Sequence, residues 1–148
     1  DLIIIDGGAV FQGYHADLTR TVVLGKADAK QKEIYGTVLR AQEAVLACLK
    51  AGLIGSEVDR IARDLIAAQG YADNFGHGLG HSVGLAIHEN PRLSPTETLP
   101  IPAGAVITVE PGIYLPGWGG VRIEDLVVGE AQGVRNLTRT PKSELSEL

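Results

Sequence analysis

Asp6, Asp17, His81, Glu110 and Glu124 are the residues of this 148-residue chain whose types and spacing suit metal-assisted chemistry. They come as two carboxylate pairs with one histidine between them. Four carboxylates and an imidazole can hold two divalent ions side by side, and such a pair clamps both the attacking and the departing atoms of a hydrolysis. The donors are rich in oxygen and include no thiolate. That favours Mn²⁺, with Co²⁺ or Zn²⁺ also suitable, over an all-sulfur structural zinc.

Hairpins are the elements that could bring these acids together. Residues 2–5 and about 14–24 are β-branched and aliphatic, separated by Gly7-Gly8 and Gln12-Gly13, which reads as a hairpin with a glycine bulge. With Gln12-Gly13 as a two-residue turn, Gly8 faces Asp17, and Asp6 lies diagonal to Asp17 on the same face. A solvated acidic face is the plainer alternative. Against it, Asp6 ends a run of three isoleucines, a poor place for a carboxylate with no partner. The second pair repeats the pattern: Val106–Val109 leads into Glu110-Pro111-Gly112, and Val121-Arg122-Ile123 leads into Glu124. A loop centred on Gly117 sets the two glutamates opposite each other, where like charges repel unless a cation or a shared proton sits between them.

Three of the four histidines lie in the glycine-rich stretch from Gly76 to Glu89. Glycine at this density opposes a helix and lets backbone approach a ligand closely. His77 and His81 share a face if the segment is extended. His88 is an odd interval from His81 and reaches the same site only if the chain kinks, for which Gly84 is placed. His15 falls at an outward strand position and is assigned no role.

The rest of the chain reads as scaffold. One helix spans about Lys30 to Lys50, with Ile34, Val38, Ala41, Val45 and Cys48/Leu49 on one face. A second starts at Ser56 as N-cap, with Asp59 in a capping-box position, turns Val58, Ile61, Leu65 and Ala68 inward, and ends at Gly70. Short strands are expected near 81–88, 105–110 and 121–128, and the polar tail from Thr138 should fray. Hairpin, two helices, then strands describes an α+β domain with an antiparallel sheet covered by helices. Cys48 reads as an inert packed thiol, and a lone cysteine allows no internal disulfide and fits a reducing, cytoplasmic setting. A net charge of −5 argues against nucleic acid or an anionic membrane as partner. No apolar run approaches the roughly 20 residues that span a bilayer. Methionine is absent and the chain opens directly into a strand, so the expectation is a fragment cut at its N-terminal side.

Taken in order, Ile5-Asp6-Gly7-Gly8-Ala9, Gly13 to Thr21, His77-Gly78-Leu79-Gly80-His81, His88-Glu89, Val109-Glu110-Pro111-Gly112-Ile113-Tyr114 and Gly120 to Asp125 resemble the pita-bread metallopeptidases. That family includes methionine aminopeptidase, aminopeptidase P and prolidase. His77, Tyr114 and Arg122 resemble the Xaa-Pro-cleaving branch. The resemblance runs from residue 1 to about 142 and implies that residues 1–148 are the C-terminal part of a pita-bread catalytic domain whose parent is a homodimer or larger.

It also implies roles. Asp6 would bind one ion, Asp17 and Glu124 would bridge two, and His81 and Glu110 would bind the other. A water bridging the ions would lose a proton to Glu110 and attack the Xaa-Pro bond. His77 and His88 would contact the substrate carbonyl, and Tyr114 and Arg122 would line the proline side. The substrate implied is a peptide with proline in second position. Methionine aminopeptidase, creatinase-like amidinohydrolases and a non-catalytic binding module on the same fold are the alternatives.

Overall fold

The computed structural model describes residues 1–148 throughout. Leu2–Phe11 (β1) and Tyr14–Val23 (β2) form an antiparallel hairpin closed by Gln12-Gly13, both with positive φ. Positive φ at both central residues gives a turn whose twist matches its strands. The register runs unbroken from Phe11↔Tyr14 through Gly8↔Asp17 to Leu2↔Val23. The bulge expected at Gly7-Gly8 is therefore absent. Gly8 serves close approach instead, since a Cβ there would collide with the Ala16 carbonyl oxygen.

Ala29–Cys48 (α1) starts on a capping box that the sequence reading missed. Asp28 accepts from the Gln31 amide at 2.8 Å, and Gln31 accepts from the Asp28 amide at 2.9 Å. Ile34, Val38, Ala41 and Val45 are buried as expected. Leu49 takes the last core position and leaves Cys48 exposed, so Cys48 is not the packed thiol expected.

Gly55–Ala68 (α2) departs further. Its N-cap is Ile54, with no side-chain cap bond. Asp59 is buried, held by Arg63 at 2.8 and 2.9 Å and accepting the Leu79 amide at 3.0 Å. With Asp59 turned inward, the buried stripe is Val58, Ala62 and Ile66, while Leu65 and Ala68 are exposed. A carboxylate paired with arginine and an amide can occupy a core position that a hydrophobic count assigns to leucine.

The remaining strands are Gly80–Ser82 (β3), Glu89–Leu93 (β4), Val106–Val109 (β5), Gly112–Leu115 (β6), Gly119–Arg122 (β7), Asp125–Glu130 (β8), Gly133–Asn136 (β9) and Ser146–Glu147 (β10). A five-stranded sheet runs β4-β3-β5-β8-β9, β6 and β7 make a ribbon, and β10 joins β2. The strand expected over 81–88 stops at Ser82, and the chain bends through 84–88. Both helices bury their stripes in one cluster with Ile107, Val109, Ile113, Val121, Ile123 and Val127. This is the α+β arrangement of antiparallel sheet and covering helices.

The tail does not fray. Arg20 pairs with Asp125 at 2.8 Å and donates to the carbonyls of Thr140 and Pro141 at 2.7 and 3.1 Å. Lys142 pairs with the same Asp125, Leu145 is buried, and β10 adds to β2 in parallel. Four attachments spread along the tail outweigh its polar composition. No helix is long and apolar enough to cross a membrane.

Candidate metal centre and adjoining cleft

The second acidic pair depends on a hairpin that splits. Val109 faces Asp125 and Gly112 faces Arg122 in one continuous register, which sets Glu110 opposite Glu124. Between those pairs the strands part at the acids, while the Ile123 amide still donates to Pro111 O at 3.4 Å. The Glu110 amide donates to Leu79 O at 2.8 Å, and the Glu124 amide donates to Thr19 O at 3.1 Å. The carbonyls of Val109 and Ile123 accept from the buried Gln42 amide of α1 at 3.2 and 3.5 Å. Lys142 fixes that amide by donating to Gln42 Oε1 at 2.5 Å. No buried side-chain polar atom lacks a partner. The split is thus supported by replacement partners for the amides of both acids and for the carbonyls of Val109, Ile123 and Glu124, the last accepting from Arg20.

Strand alternation then aims the side chains. Ile123 and Asp125 point to the core, so Arg122 and Glu124 point to the opposite face. Thr19 and Thr108 lie two residues from Asp17 and Glu110, on the same faces. Thr19 donates to Glu124 at 2.6 Å. Thr108 donates to Glu110 at 2.9 Å and accepts the His81 amide at 3.0 Å. These two threonines were overlooked in the sequence, although the i+2 spacing could have found them.

Asp6, Asp17, His81, Glu110 and Glu124 all line one cavity of about 330 Å³, with His88 and Gly7-Gly8. Single donor atoms of Asp17, His81 and Glu124 lie within 4.8 Å of one another. His81 Nε2 is 3.2 Å from Glu110 and 3.8 Å from Asp17. Asp6 lines the cavity but pairs with Arg122. The His88 ring meets His81 edge-on, with centroids 4.3 Å apart, so the bend at 84–88 does bring it to the site. His15, assigned nothing from sequence, supports that bend: its amide donates to Gly84 O at 2.8 Å.

A neighbouring polar cleft of about 470 Å³ shares His81, His88 and Glu110 and adds His77, Arg92 and Arg122. One chain of hydrogen bonds runs along it. Arg122 donates to Tyr114 Oη at 2.8 Å, and Tyr114 Oη meets His77 Nε2 at 3.0 Å. His77 Nδ1 lies 2.7 Å from Gly78 O. With Nδ1 donating to that carbonyl, Nε2 accepts from the tyrosine. His77 is thus engaged at both nitrogens.

Crowded acid is the electrostatic theme. Burial and the nearby charges of Glu110, Asp17 and Asp6 push the Glu124 carboxyl up to about 8, despite the Thr19 hydrogen bond. Burial and Asp6 also raise Asp17. Burial alone would lower His81, but Glu110, the Ser82 carbonyl and Asp17 raise it. A crowded, partly buried cluster of acids at such cost to its own ionisation, with an imidazole nitrogen among them, is the donor set a divalent cation satisfies. These residues fit the metal that the donor chemistry implies.

The architecture defines a helix-covered antiparallel sheet with an acidic, histidine-bearing cavity. Residues 1–130 match the sequence profile of Metallopeptidase family M24, and the chain belongs to that family. It is 49% identical over 142 residues to a protein named Xaa-Pro dipeptidase from Pyrococcus horikoshii, covering 96% of this chain and 40% of that one. A solved Xaa-Pro dipeptidase from Bacillus anthracis superposes with a TM-score of 0.97 at 46% identity, over 99% of this chain and 41% of that one. The X-Pro aminopeptidase from Thermotoga maritima gives 0.96 at 44% identity, over 99% and 41%. The chain spans about two fifths of the length of these relatives, and they share the pita-bread fold with it.

Proposed function

We propose that this chain carries the metal centre and substrate cleft of a dinuclear exopeptidase that hydrolyses Xaa-Pro bonds, as the C-terminal part of the catalytic domain of a longer, homo-oligomeric protein. The observation that supports it best is the convergence of all five sequence-separated donors on one cavity, beside the Arg122–Tyr114–His77 chain. Asp6 would hold one ion, His81 and Glu110 would hold the other, and Asp17 and Glu124 would serve both. Two divalent cations there, Mn²⁺ in our reading, would supply Lewis acidity and an acidified water.

The chain's own residues do the rest. Glu110, already hydrogen-bonded to Thr108, accepts the nucleophile's proton. His88 is exposed at the cavity mouth and donates to the developing oxyanion. His77, expected to contact the substrate carbonyl, has both nitrogens engaged by Gly78 O and Tyr114 Oη, so its role in this reading is to hold Tyr114 and Arg122 in place along the proline side. The Xaa-Pro nitrogen carries no hydrogen, so a shaped wall rather than a hydrogen bond to that atom must recognise it. Arg92 on the same cleft supplies a guanidinium suited to a free carboxylate, which favours dipeptides over longer peptides. The lone cysteine and the acid balance suit a cytoplasmic location.

Metal content by mass spectrometry and cleavage assays on the full-length protein test this reading. About two ions per chain and release of proline from Ala-Pro are expected. A protein that binds no divalent metal and leaves Ala-Pro and Ala-Pro-Ala intact overturns it.

A further inference from the structure

One wall of the polar cleft runs from the end of β4, where Arg92 lies, into the segment that follows, which contributes Ser94 and Thr96. It contains no regular secondary structure beyond Leu93, yet it is held from within by a single side chain. Glu97 Oε2 accepts the Arg92 amide at 2.9 Å, and Oε1 accepts the amides of Thr98 and Leu99, each at 2.9 Å. Three backbone donors converging on one carboxylate close residues 92–99 into a turn and favour the ionised acid. The hydrogen bonds from Arg92 and Leu99 accordingly lower the Glu97 carboxyl.

The same turn is docked at its back. The Ser56 amide donates to Glu97 O and the Gly55 amide to Leu99 O, both at 3.3 Å, and Ile54 bridges to Pro100. A Cβ at Gly55 would collide with Arg92 O and with Glu97 itself, so only glycine admits this approach. On the cleft side the turn abuts Gly78, where a Cβ would crowd Leu93 O and Ser94. The wall is thus wedged between the start of α2 and the segment carrying His77, with Glu97 at the centre of its hydrogen bonds.

We propose that Glu97 is a positioning residue for substrate binding: it fixes the wall that carries Arg92 and thereby sets affinity for the part of the peptide beyond the scissile bond. The inference rests on the cleft being the substrate site, as proposed above. Glu97 does not line that cleft, and its effect passes through the backbone of residue 92.

The test compares Glu97→Ala and Glu97→Gln with wild type in the full-length, Mn²⁺-loaded protein. It uses Ala-Pro kinetics and amide hydrogen exchange without substrate. Glu97→Ala should raise KM about tenfold while kcat stays within about twofold, the pattern of lost uniform binding. Glu97→Gln keeps one carbonyl acceptor but turns its NH2 toward an amide donor, and should recover only part of that loss. The amides of Arg92, Thr98 and Leu99 should exchange faster in Glu97→Ala, with β5 unchanged. Unaltered exchange overturns the proposal, as does faster exchange with an unaltered KM, which marks a merely structural role. A wild-type protein inactive on Ala-Pro removes the functional reading and this inference together. An active wild type with a KM insensitive to Glu97 removes the inference alone.

Discussion

The two hairpins that supply carboxylates solve one problem in different ways. The β1–β2 hairpin keeps its register intact over ten pairs and offers Asp6 and Asp17 directly from its face. The strands that carry Glu110 and Glu124 keep register on either side of the pair but part at the acids themselves. The first hairpin is self-sufficient and holds Asp6 with its side chain half exposed. The second depends on Leu79, Thr19 and Gln42 for its freed backbone groups, and it buries Glu124 almost completely. A regular ladder can present an acid at a surface. Here the acid that is buried deeply is the one set where the ladder opens.

The largest effect should come from the buried acid. Glu124→Gln is expected to lower divalent-metal affinity and activity by at least about a hundredfold, whereas Asp6→Asn should cost nearer tenfold. Titration with Mn²⁺ and Ala-Pro assays would measure both, and equal losses would erase the contrast between the hairpins. Next is the support of the split. Gln42→Ala removes the donor to two strand carbonyls and the acceptor for Lys142, and it should cost about 2–3 kcal/mol. Urea unfolding that shows no change would mean the opening needs no such support.

The intact hairpin has its own weak point at Gly8. Gly8→Ala should destabilise by about 1–3 kcal/mol, because the methyl group meets the Ala16 carbonyl and forces the strands apart. Adding the same methyl at Gly7, which has open space, should be tolerated. A larger loss at Gly7 would reverse the assignment of close approach.

The smallest effect is a pH slope. The folded Glu124 pKa, about 8, exceeds its ordinary value of 4.5. The folded state therefore holds the extra proton, and that stability is present at low pH and lost as pH rises toward 8. Metal-free protein should lose stability between about pH 5 and 8, and Glu124→Gln should flatten that slope. Metal binding at pH 7 should expel a proton, visible by calorimetry in buffers of different ionisation enthalpy. Proton release unchanged in Glu124→Gln would assign the proton elsewhere.

Much of the site was legible because period-two alternation ties neighbours to faces. Once Gln12-Gly13 is a turn, the pairing Gly8↔Asp17 follows by counting, and Gly117 does the same for Glu110 and Glu124. The helix faces were less secure. Val58 was read correctly, but Leu65 gave way to Ala62 and Ile66 once Asp59 turned inward. No count of hydrophobic residues could foresee that turn, since it depends on Arg63 and the Leu79 amide. The tail was misread for a similar reason: its anchors, Arg20 and Asp125, lie more than ten residues away in sequence.

By itself the sequence determined which side chains share a face, where the two tight turns fall and which donor types are available, because these depend on neighbours a few residues apart. Only the tertiary structure decided that the second hairpin opens, that Asp6 faces Arg122, that His77 is engaged at both nitrogens and that Glu97 braces the cleft. Each of those depends on hydrogen bonds and charges meeting across segments whose separation along the chain carries no local signal.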